Sequence, residues 1–252
     1  MGIDNPCCAH RGASGLAPEN TIAAMERALA FPFVEWIELD VQLSKDGVPV
    51  VIHDDTVDRT TDRKGRVADF TAAELQAMDA GSWFSREFRG EPVPTLEQVL
   101  ELTAGRCRLN IELKTYGGRY PGIEAAVAGM LRRHGRIRDT VITSFDPLAL
   151  KRVREAEGGL RTGLIIDAAP PGLEHALARI GATFLSIGWN RLKEGRMESF
   201  RKAGLTVMAW TVDRKYAMRR IAAMGGDIII CTNRPDRFGE LREQRRRWRF
   251  GG

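Results

Sequence analysis

Short apolar runs alternate with longer segments of helical periodicity along almost the whole chain, and this alternation constrains the fold most strongly. Eight runs read as buried strands, at residues 6–10, 35–43, 108–114, 140–145, 161–166, 183–187, 205–211 and 227–231. Repeated strand–helix units predict a parallel sheet, and eight of them in 252 residues predict a closed (β/α)8 TIM barrel. An open, doubly wound sheet is the alternative that the same pattern allows.

Residues 54–94 do not follow this alternation of strands and helices. They are polar and rich in turn-forming residues, with a short helical piece near residues 72–78 and the aromatic pair Trp83 and Phe84. A long connection that follows the carboxyl end of a strand belongs on the active-site face of a barrel. We therefore predict a single TIM-barrel domain over residues 1–252, with residues 54–94 as a small cap subdomain inserted after the second strand.

Residues 37–55, IELDVQLSKDGVPVVIHDD, read as a β-hairpin because alternating apolar and polar residues flank an Asp-Gly pair. A two-residue type I′ turn at Asp46 and Gly47 would place Asp40 directly opposite His53. Directly opposed residues share one face of a sheet. The hairpin thus predicts that Glu38, Asp40 and His53 converge on one side.

Two helix starts carry capping signals. Asn20 is predicted to cap the first helix, in which Ile22, Met25 and Leu29 recur at helical spacing. Thr95 is predicted to cap the helix that follows the insertion. Both helices then pack an apolar stripe against the sheet.

Polar side chains stand at the ends of three predicted strands. His10 and Arg11 end the first, Glu38 and Asp40 the second, and Glu112 and Lys114 the third. In the second strand, Ile37, Leu39 and Val41 occupy the opposite face, which suits packing against the helices. The polar sets should therefore face inward, and neighbouring strands should bring them to one rim of the barrel.

Three inward carboxylates, those of Glu38, Asp40 and Glu112, would repel one another unless a cation neutralises them. Ligation by oxygen alone favours Mg²⁺ or Ca²⁺ over zinc. The sequence therefore predicts one divalent cation, Mg²⁺ or Ca²⁺, at this rim. A network of ion pairs with Arg11 and Lys114 is the structural alternative.

The cationic and imidazole side chains beside this cluster suit phosphate chemistry. Arg11 offers a planar fork of donors and Lys114 a point charge, and both can hold a phosphate group. His10 and His53 can divide the roles of general base and general acid. Taken singly, a strand-end histidine is often structural and a Glu-x-Lys pair is often an ion pair. Their combination on adjacent strand ends favours an active site.

Composition and charge exclude several other classes. Hydrophobic and charged contents of 43% and 28% are ordinary for a globular protein, and no apolar run is long enough for a signal peptide or a membrane span. Residues 242–249 hold five arginines and one glutamate, and so supply most of the net charge of +5. A solvated helix end explains this tail, and attraction to anionic lipid or nucleic acid is the alternative. Four cysteines without a CxxC pair indicate reduced thiols in a cytoplasmic protein.

Several motifs resemble those of the glycerophosphodiester phosphodiesterase family. They are HRGASGLAPENT at residues 10–21, ELD at 38–40, DGVPVVIHD at 46–54, IELK at 111–114, MDAGSWF at 78–84, VPTLEQVL at 93–100, AWTVD at 209–213 and TNRPD at 232–236. The resemblance covers nearly the whole chain. It implies a TIM barrel with a small inserted subdomain, a divalent ion held by Glu38, Asp40 and Glu112, and an acid/base pair of His10 and His53. It also implies phosphate binding by Arg11 and Lys114, and a substrate pocket lined by Trp210.

The expected activity is metal-dependent hydrolysis of a glycerophosphodiester to sn-glycerol 3-phosphate and an alcohol. Phospholipase D-like hydrolysis of lysophospholipids at the same site is one alternative, and a phosphate-binding barrel without catalysis is another. The two titratable imidazoles disfavour a barrel that only binds phosphate, because phosphate binding needs the cations but not the imidazoles. The expected partner is a small-molecule substrate, with no nucleic acid and no integral membrane association. The sequence leaves the alcohol and the oligomeric state open.

Overall fold

The computed structural model describes the backbone of residues 2–250 and the side chains of residues 2–244. The strands are β1 (Cys7–His10), β2 (Val34–Leu43), β3 (Pro49–Val51), β4 (Arg108–Leu113), β5 (Thr140–Ser144), β6 (Arg161–Ile166), β7 (Phe184–Gly188), β8 (Thr206–Trp210) and β9 (Ile229–Thr232). The helices are α1 (Ile22–Leu29), α2 (Ala72–Gln76), α3 (Leu96–Thr103), α4 (Ile123–Arg133), α5 (Pro147–Ala156), α6 (Leu173–Arg179), α7 (Glu194–Lys202), α8 (Lys215–Met224) and α9 (Pro235–Phe250). None of these described helices is both long and apolar enough to cross a membrane.

Eight parallel strands, β1, β2 and β4 to β9, close into a barrel because β1 pairs with both β2 and β9. Helices occupy the connections between the strands, as a parallel sheet requires. The eight predicted strands and the predicted (β/α)8 TIM barrel are confirmed. The open, doubly wound sheet is excluded by the closure between β1 and β2.

The two faces of β2 serve two different environments. Ile37, Leu39 and Val41 belong to the large core between the barrel and its helices. Trp36 points the other way, into a small cluster inside the barrel, where its ring lies 6.1 Å from that of Phe184. Glu38 and Asp40 share the inner face with Trp36 and lie closer to the carboxyl end of the strand. The predicted inward orientation of the charged residues is therefore correct.

The hairpin between β2 and β3 has a different turn from the predicted one. Val41 pairs with Val51 and Leu43 with Pro49, one residue away from the predicted register. The backbone nitrogen of Ser44 donates to the carbonyl of Val48 (3.0 Å), so the loop holds three residues, 45–47. Gly47 ends this loop at φ +78°, the left-handed conformation typical of three-residue hairpin loops.

The corrected register places Ile52, not His53, opposite Asp40, and the backbone nitrogen of Ile52 donates to the carbonyl of Asp40 (3.0 Å). The predicted pairing of Asp40 with His53 is therefore wrong. His53 lies beyond the end of β3, where strand alternation no longer determines the direction of its side chain.

The first helix is capped by Thr21, not by Asn20 as predicted. The Thr21 hydroxyl accepts a hydrogen bond from the backbone nitrogen of Ala24 (3.2 Å). Asn20 instead has a left-handed backbone (φ +60°) and donates from Nδ2 to Oδ2 of Asp40 (2.8 Å). The predicted cap at Thr95 is confirmed, with a capping box formed by Gln98.

Residues 57–93 and the hairpin residues Val50 and Ile52 together form a second apolar cluster. Its buried members are Val50, Ile52, Val57, Val67, Ala72, Leu75, Met78, Ala80 and Val93. Glu91 ties the segment to the barrel, since its carboxylate accepts a hydrogen bond from the backbone nitrogen of Ala23 (2.9 Å). Residues 54–94 therefore pack next to the carboxyl end of β2.

Of the four cysteines, Cys231 lines the cavity beside the polar rim, and most of the basic tail lies outside the described side chains. Cys7, Cys8 and Cys231 are buried, Cys107 is partly exposed, and all four are free thiols. The guanidinium of Arg242 lies 5.8 Å from the ring centre of Phe33. The other arginines of the predicted basic cluster, at residues 245–249, lie outside the described side chains.

Candidate active site

Three carboxylates meet where β2 and β4 end at the rim of the barrel. Asp40 and Glu112 are direct partners in the parallel register of these strands, and Glu38 lies two residues earlier on the same face. All three side chains are buried. Each offers one oxygen within 4.8 Å of the other two, so the sequence-predicted cluster exists as a compact set.

Two cations sit against this cluster. Nζ of Lys114 lies 2.5 Å from Oε1 of Glu112 and 3.1 Å from Oδ1 of Asp40. Nε of Arg11 lies 3.2 Å from Oδ2 of Asp40. Arg11 has a left-handed backbone (φ +54°), which is uncommon for a residue with a side chain, and its backbone nitrogen donates to Glu38 (2.9 Å).

The buried carboxylates differ in how easily they ionise. Burial opposes ionisation of Asp40, but Lys114 and Arg11 hold its pKa well below the usual range. Burial and the charge of Asp40 raise the pKa of Glu38 well above its ordinary value, and they raise the pKa of Glu112 to about 7. With all three ionised, the carboxylates exceed the two cations by one charge, so an added positive charge would stabilise the ionised cluster.

His10 is oriented by a chain of hydrogen bonds at the end of β1. Asn233 donates from Nδ2 to Oδ2 of Asp213 (2.8 Å), which leaves its Oδ1 facing Nδ1 of His10 at 2.7 Å. Because Oδ1 can only accept, Nδ1 of a neutral His10 carries the proton and Nε2 carries the lone pair. Nε2 lies on the side of the carboxylates, 3.7 Å from Oε2 of Glu38. Burial and the charge of Arg11 lower the pKa of His10 to about 4.

His53 is oriented by a carboxylate instead of an amide. Its Nδ1 lies 2.7 Å from Oδ1 of Asp54, so Nδ1 carries a proton here as well. Arg59 donates to both oxygens of Asp54 and also to Glu19, which in turn accepts from Arg11. Burial opposes ionisation of Asp54, yet the hydrogen bonds from Arg59 and His53 lower its pKa to about 2. Arg59, which lies within residues 54–94, thus supports the His53 imidazole indirectly, by holding the Asp54 carboxylate at its Nδ1.

Gln42 holds the segment that carries His53. Its buried Nε2 lies 2.9, 3.0 and 2.6 Å from the carbonyl oxygens of Ile52, His53 and Asp54. Its Oε1 accepts a hydrogen bond from the Tyr120 hydroxyl (2.6 Å). This clamp explains how His53 reaches the site although the strand pairing does not place it there.

The site opens into a cavity of about 160 Å³ at the top of the barrel. Its walls include seven of the eight predicted site residues, namely His10, Arg11, Glu38, His53, Glu112, Lys114 and Trp210. Asp40, the eighth, is fully buried beside them. Nε1 of Trp210 is buried and has no hydrogen-bond partner among the described residues. The structure therefore brings together all the residues that the sequence singled out.

Sequence reasoning missed the residues that orient these groups. Asn20 supports Asp40, Gln42 and Asp54 support His53, and Asn233 supports His10. A signal existed for Asp54, which directly follows His53. Asn233 lies in the TNRPD motif, but the motif alone does not indicate which side chain it contacts.

A (β/α)8 barrel that gathers carboxylates, cations and two imidazoles at the carboxyl ends of its strands is a TIM-barrel enzyme in its architecture. The model of the glycerophosphoryl diester phosphodiesterase family matches residues 10–237, and the chain belongs to this family of phosphoric diester hydrolases.

Relatives and solved structures agree with this membership. A glycerophosphodiester phosphodiesterase of Caldanaerobacter subterraneus subsp. tengcongensis is 41% identical over 226 residues, which cover 89% of this chain and 93% of the relative. The structure of an Oleispira antarctica phosphodiesterase in complex with the product sn-glycerol-3-phosphate superposes with a TM-score of 0.88 at 31% identity, covering 94% of this chain and 96% of that one. The structure of a glycerophosphodiester phosphodiesterase from Agrobacterium tumefaciens superposes with a TM-score of 0.82 at 37% identity, covering 93% of this chain and 98% of that one.

Proposed function

We propose that this enzyme hydrolyses glycerophosphodiesters to sn-glycerol 3-phosphate and an alcohol, with His10 and His53 as the acid/base pair beside a divalent cation. Two imidazoles that line one cavity together with a buried carboxylate cluster carry this proposal. The product bound to the Oleispira antarctica phosphodiesterase supports the same substrate class for this chain.

The carboxylate cluster fits a hard divalent ion held by Glu38, Asp40 and Glu112. Its donors are all oxygen atoms, which Mg²⁺ and Ca²⁺ prefer. The raised pKa values of Glu38 and Glu112 show that these two groups ionise at a cost, and a cation would remove that cost. When bound, the ion would polarise a phosphoryl oxygen of the substrate.

The protein groups then have distinct tasks. Arg11 and Lys114 bind the phosphate oxygens, and Trp210 lines the part of the cavity that receives the substrate. One imidazole takes the proton from the nucleophile at its Nε2. Attack by water gives sn-glycerol 3-phosphate directly, whereas attack by a hydroxyl group of the substrate's glycerol gives a cyclic phosphodiester that water must then open. The other imidazole, protonated at Nε2, gives its proton to the departing alkoxide. Hydrogen bonds at both Nδ1 atoms keep the Nε2 atoms for this exchange.

A release assay tests the proposed function. The purified protein is incubated with glycerophosphocholine, lysophosphatidylcholine or sn-glycerol 3-phosphate, each with Mg²⁺ or Ca²⁺, and the products are measured. We expect sn-glycerol 3-phosphate from glycerophosphocholine and no phosphate from the monoester, because the site is proposed for a diester. Turnover of lysophosphatidylcholine alone would favour the phospholipase D-like activity. No release from either diester would refute both.

The Gln42 clamp predicts a loss of turnover that exceeds the loss of binding. Gln42→Met keeps the length of the side chain but removes the donor that holds the His53 segment. Small displacements of a catalytic group can cost about 10²-fold in rate, so we expect kcat to fall by about 10- to 100-fold with KM changed by less than about threefold. Steady-state kinetics on glycerophosphocholine measure both constants.

Gln98→Met is the matched control, because Gln98 caps α3 and does not contact His53. Thermal unfolding of both variants shows whether they are folded at the assay temperature. A folded Gln42→Met protein with the kcat of the wild type would contradict the clamp.

A further inference from the structure

Two of the spaces that meet at the candidate active site share Lys114 and differ in character. The first is the cavity of about 160 Å³ at the top of the barrel. The second is an open groove of about 690 Å³ that runs outward over the loops after β4 and β5. His53, Glu112, Lys114 and Phe145 line both of them. A phosphodiester held at Lys114 therefore has room for one substituent on each side.

The smaller cavity suits the part that all substrates of the proposed reaction share. It contains the side chains of Asn110 and Ser186 and the indole of Trp210, whose Nε1 has no partner among the described residues. These polar atoms can serve the hydroxyl groups of a three-carbon glycerol unit, and the limited volume excludes much larger groups. The glycerol phosphate half fits here, so the variable alcohol lies outside this cavity. A polar space of about 370 Å³ beside His10 and Arg11 also adjoins the site, but of the two only the groove shares Lys114 and Phe145 with the cavity and offers apolar walls.

The groove has apolar walls. Among the described side chains, five large apolar ones are exposed, and three of these line the groove: Tyr116, Phe145 and Leu148, with 39%, 49% and 63% of their surface exposed. Tyr116 lies in the loop after β4, Phe145 follows β5, and Leu148 lies in the first turn of α5. Exposed apolar side chains that line one groove next to a reaction site are typical of a ligand-binding surface.

Charge does not explain what this groove would bind. Apart from His53 and the neutral phenol of Tyr116, its ionisable side chains are Glu112, Lys114, Asp146 and Arg152, two acids and two bases. Asp146 also caps α5 by accepting from the backbone nitrogen of Leu148 (2.8 Å), and Arg152 lies 3.4 Å from Glu124. The balanced charges leave apolar contact as the feature that distinguishes one alcohol from another.

We propose that this groove binds the departing alcohol of the diester and selects alcohols with an apolar or methyl-rich surface over polyols. This inference rests on the proposed function and adds a substrate preference to it. The trimethylammonium group of choline can pack its methyl groups against Tyr116 and Phe145, as quaternary ammonium groups do on aromatic rings. A polyol in the same place loses water without gaining matched hydrogen-bond partners from these side chains.

Three substrates that differ only in the alcohol test this proposal. They are glycerophosphocholine, the glycerophosphoric ester of n-butanol and glycerophosphoglycerol. We expect kcat/KM of the wild-type enzyme to be about tenfold higher for the choline and butanol esters than for the glycerol ester. The uncharged butanol ester shows whether apolar contact suffices without a cation.

Leu148→Ser removes apolar surface from the groove at an exposed position, so the variant should fold normally. We expect kcat/KM for the choline and butanol esters to fall about three- to tenfold through KM, while the value for glycerophosphoglycerol changes by less than about twofold. Inhibition by sn-glycerol 3-phosphate should keep the wild-type inhibition constant, because this product occupies the smaller cavity. Tyr216→Ser is the matched control, an exposed apolar residue that does not line the groove.

The outcomes test the alcohol preference separately from the phosphodiesterase function. Hydrolysis of all three esters at equal kcat/KM, or a Leu148→Ser variant that affects all three equally or none, would overturn the alcohol preference and leave the phosphodiesterase function intact. No hydrolysis of any ester would overturn the proposed function itself.

Discussion

Replacement of either His10 or His53 by alanine is expected to lower kcat on glycerophosphocholine by about 10²- to 10⁴-fold, the range that general acid–base groups contribute. Each variant removes one of the two Nε2 atoms that we propose for proton transfer; the Nδ1 atoms are held by Asn233 and Asp54. Arg11 and Lys114, the proposed phosphate-binding residues, remain in both variants, so KM should change much less than kcat. Steady-state kinetics at saturating metal measure both constants.

His134→Ala is the matched control for these variants. His134 ends α4 and contacts Glu97, away from the cavity, so the change removes an imidazole of the same kind without touching the site. We expect activity close to that of the wild type. Activity close to the wild type in both His10→Ala and His53→Ala would eliminate the acid/base assignment.

Removal of divalent ions is expected to abolish activity, and Mg²⁺ or Ca²⁺ should restore it. Restoration by Zn²⁺ alone would argue against the hard-ion site. The same ions should stabilise the fold, because they would neutralise carboxylates that ionise at a cost in the metal-free protein. Thermal unfolding with and without each ion measures this stabilisation.

The stabilisation of the fold by the divalent ion should increase with pH. In the metal-free fold, burial and Asp40 raise the pKa of Glu112 from 4.5 to about 7. A raised pKa means that the folded state holds the Glu112 proton more tightly than the unfolded state does. The contribution of this proton to the free energy of unfolding is therefore complete below pH 4.5 and is lost as pH rises through 7. At about 1.4 kcal/mol per pKa unit, the ionisation of Glu112 alone lowers the free energy of unfolding by roughly 3 kcal/mol. The rise in Tm caused by the ion should therefore grow between pH 5 and pH 8.

Glu112→Gln provides the comparison for this prediction. The amide has nearly the same shape but no charge, so the metal-free variant should unfold at a higher temperature than the metal-free wild type at pH 8. The variant should also lose most of its activity and most of the ion-induced rise in Tm, because one ligand of the proposed ion is missing. An ion-induced rise in Tm that is independent of pH in the wild type would contradict this account.

The barrel and the polar rim could be predicted from sequence because both depend on local periodicity. Alternation along β2 separates Ile37, Leu39 and Val41 from the acidic residues, whichever strands become neighbours. Closure of eight such units then fixes the rim at which Glu38, Asp40 and Glu112 meet. The resemblance to the family added the role of Trp210, which no periodicity indicates.

The hairpin register could not be fixed in this way because the Asp-Gly pair fits two loop lengths. In the observed loop the Ser44 hydroxyl accepts from the backbone nitrogen of Val48 (3.0 Å), and Gly47 supplies one left-handed residue. The predicted two-residue turn needs left-handed backbone at both central positions, and Asp46 does not adopt it. A one-residue shift reverses the expected faces beyond the turn.

The orienting contacts of Asn233 and Tyr120 could not be predicted because they join distant parts of the chain. His10 and Asn233 are 223 positions apart, and Gln42 meets Tyr120 across 78 positions. Asn20 has the sequence signature of a helix cap, yet a neighbouring threonine takes that place and Asn20 is used to hold Asp40. Only the closed barrel brings such pairs together.

The second apolar cluster has a consequence for exchanging parts between members of the family. Val50 and Ile52 belong to this cluster, whereas Val51 between them belongs to the barrel core. At the other end, Val50 bridges to Thr95 and the backbone nitrogen of Val51 donates to the carbonyl of Pro94 (2.9 Å). A chimera cut at residues 54 and 94 would divide one apolar cluster between two parents. We therefore expect residues 44–95, which hold the whole cluster and carry His53, to be exchanged better as one unit.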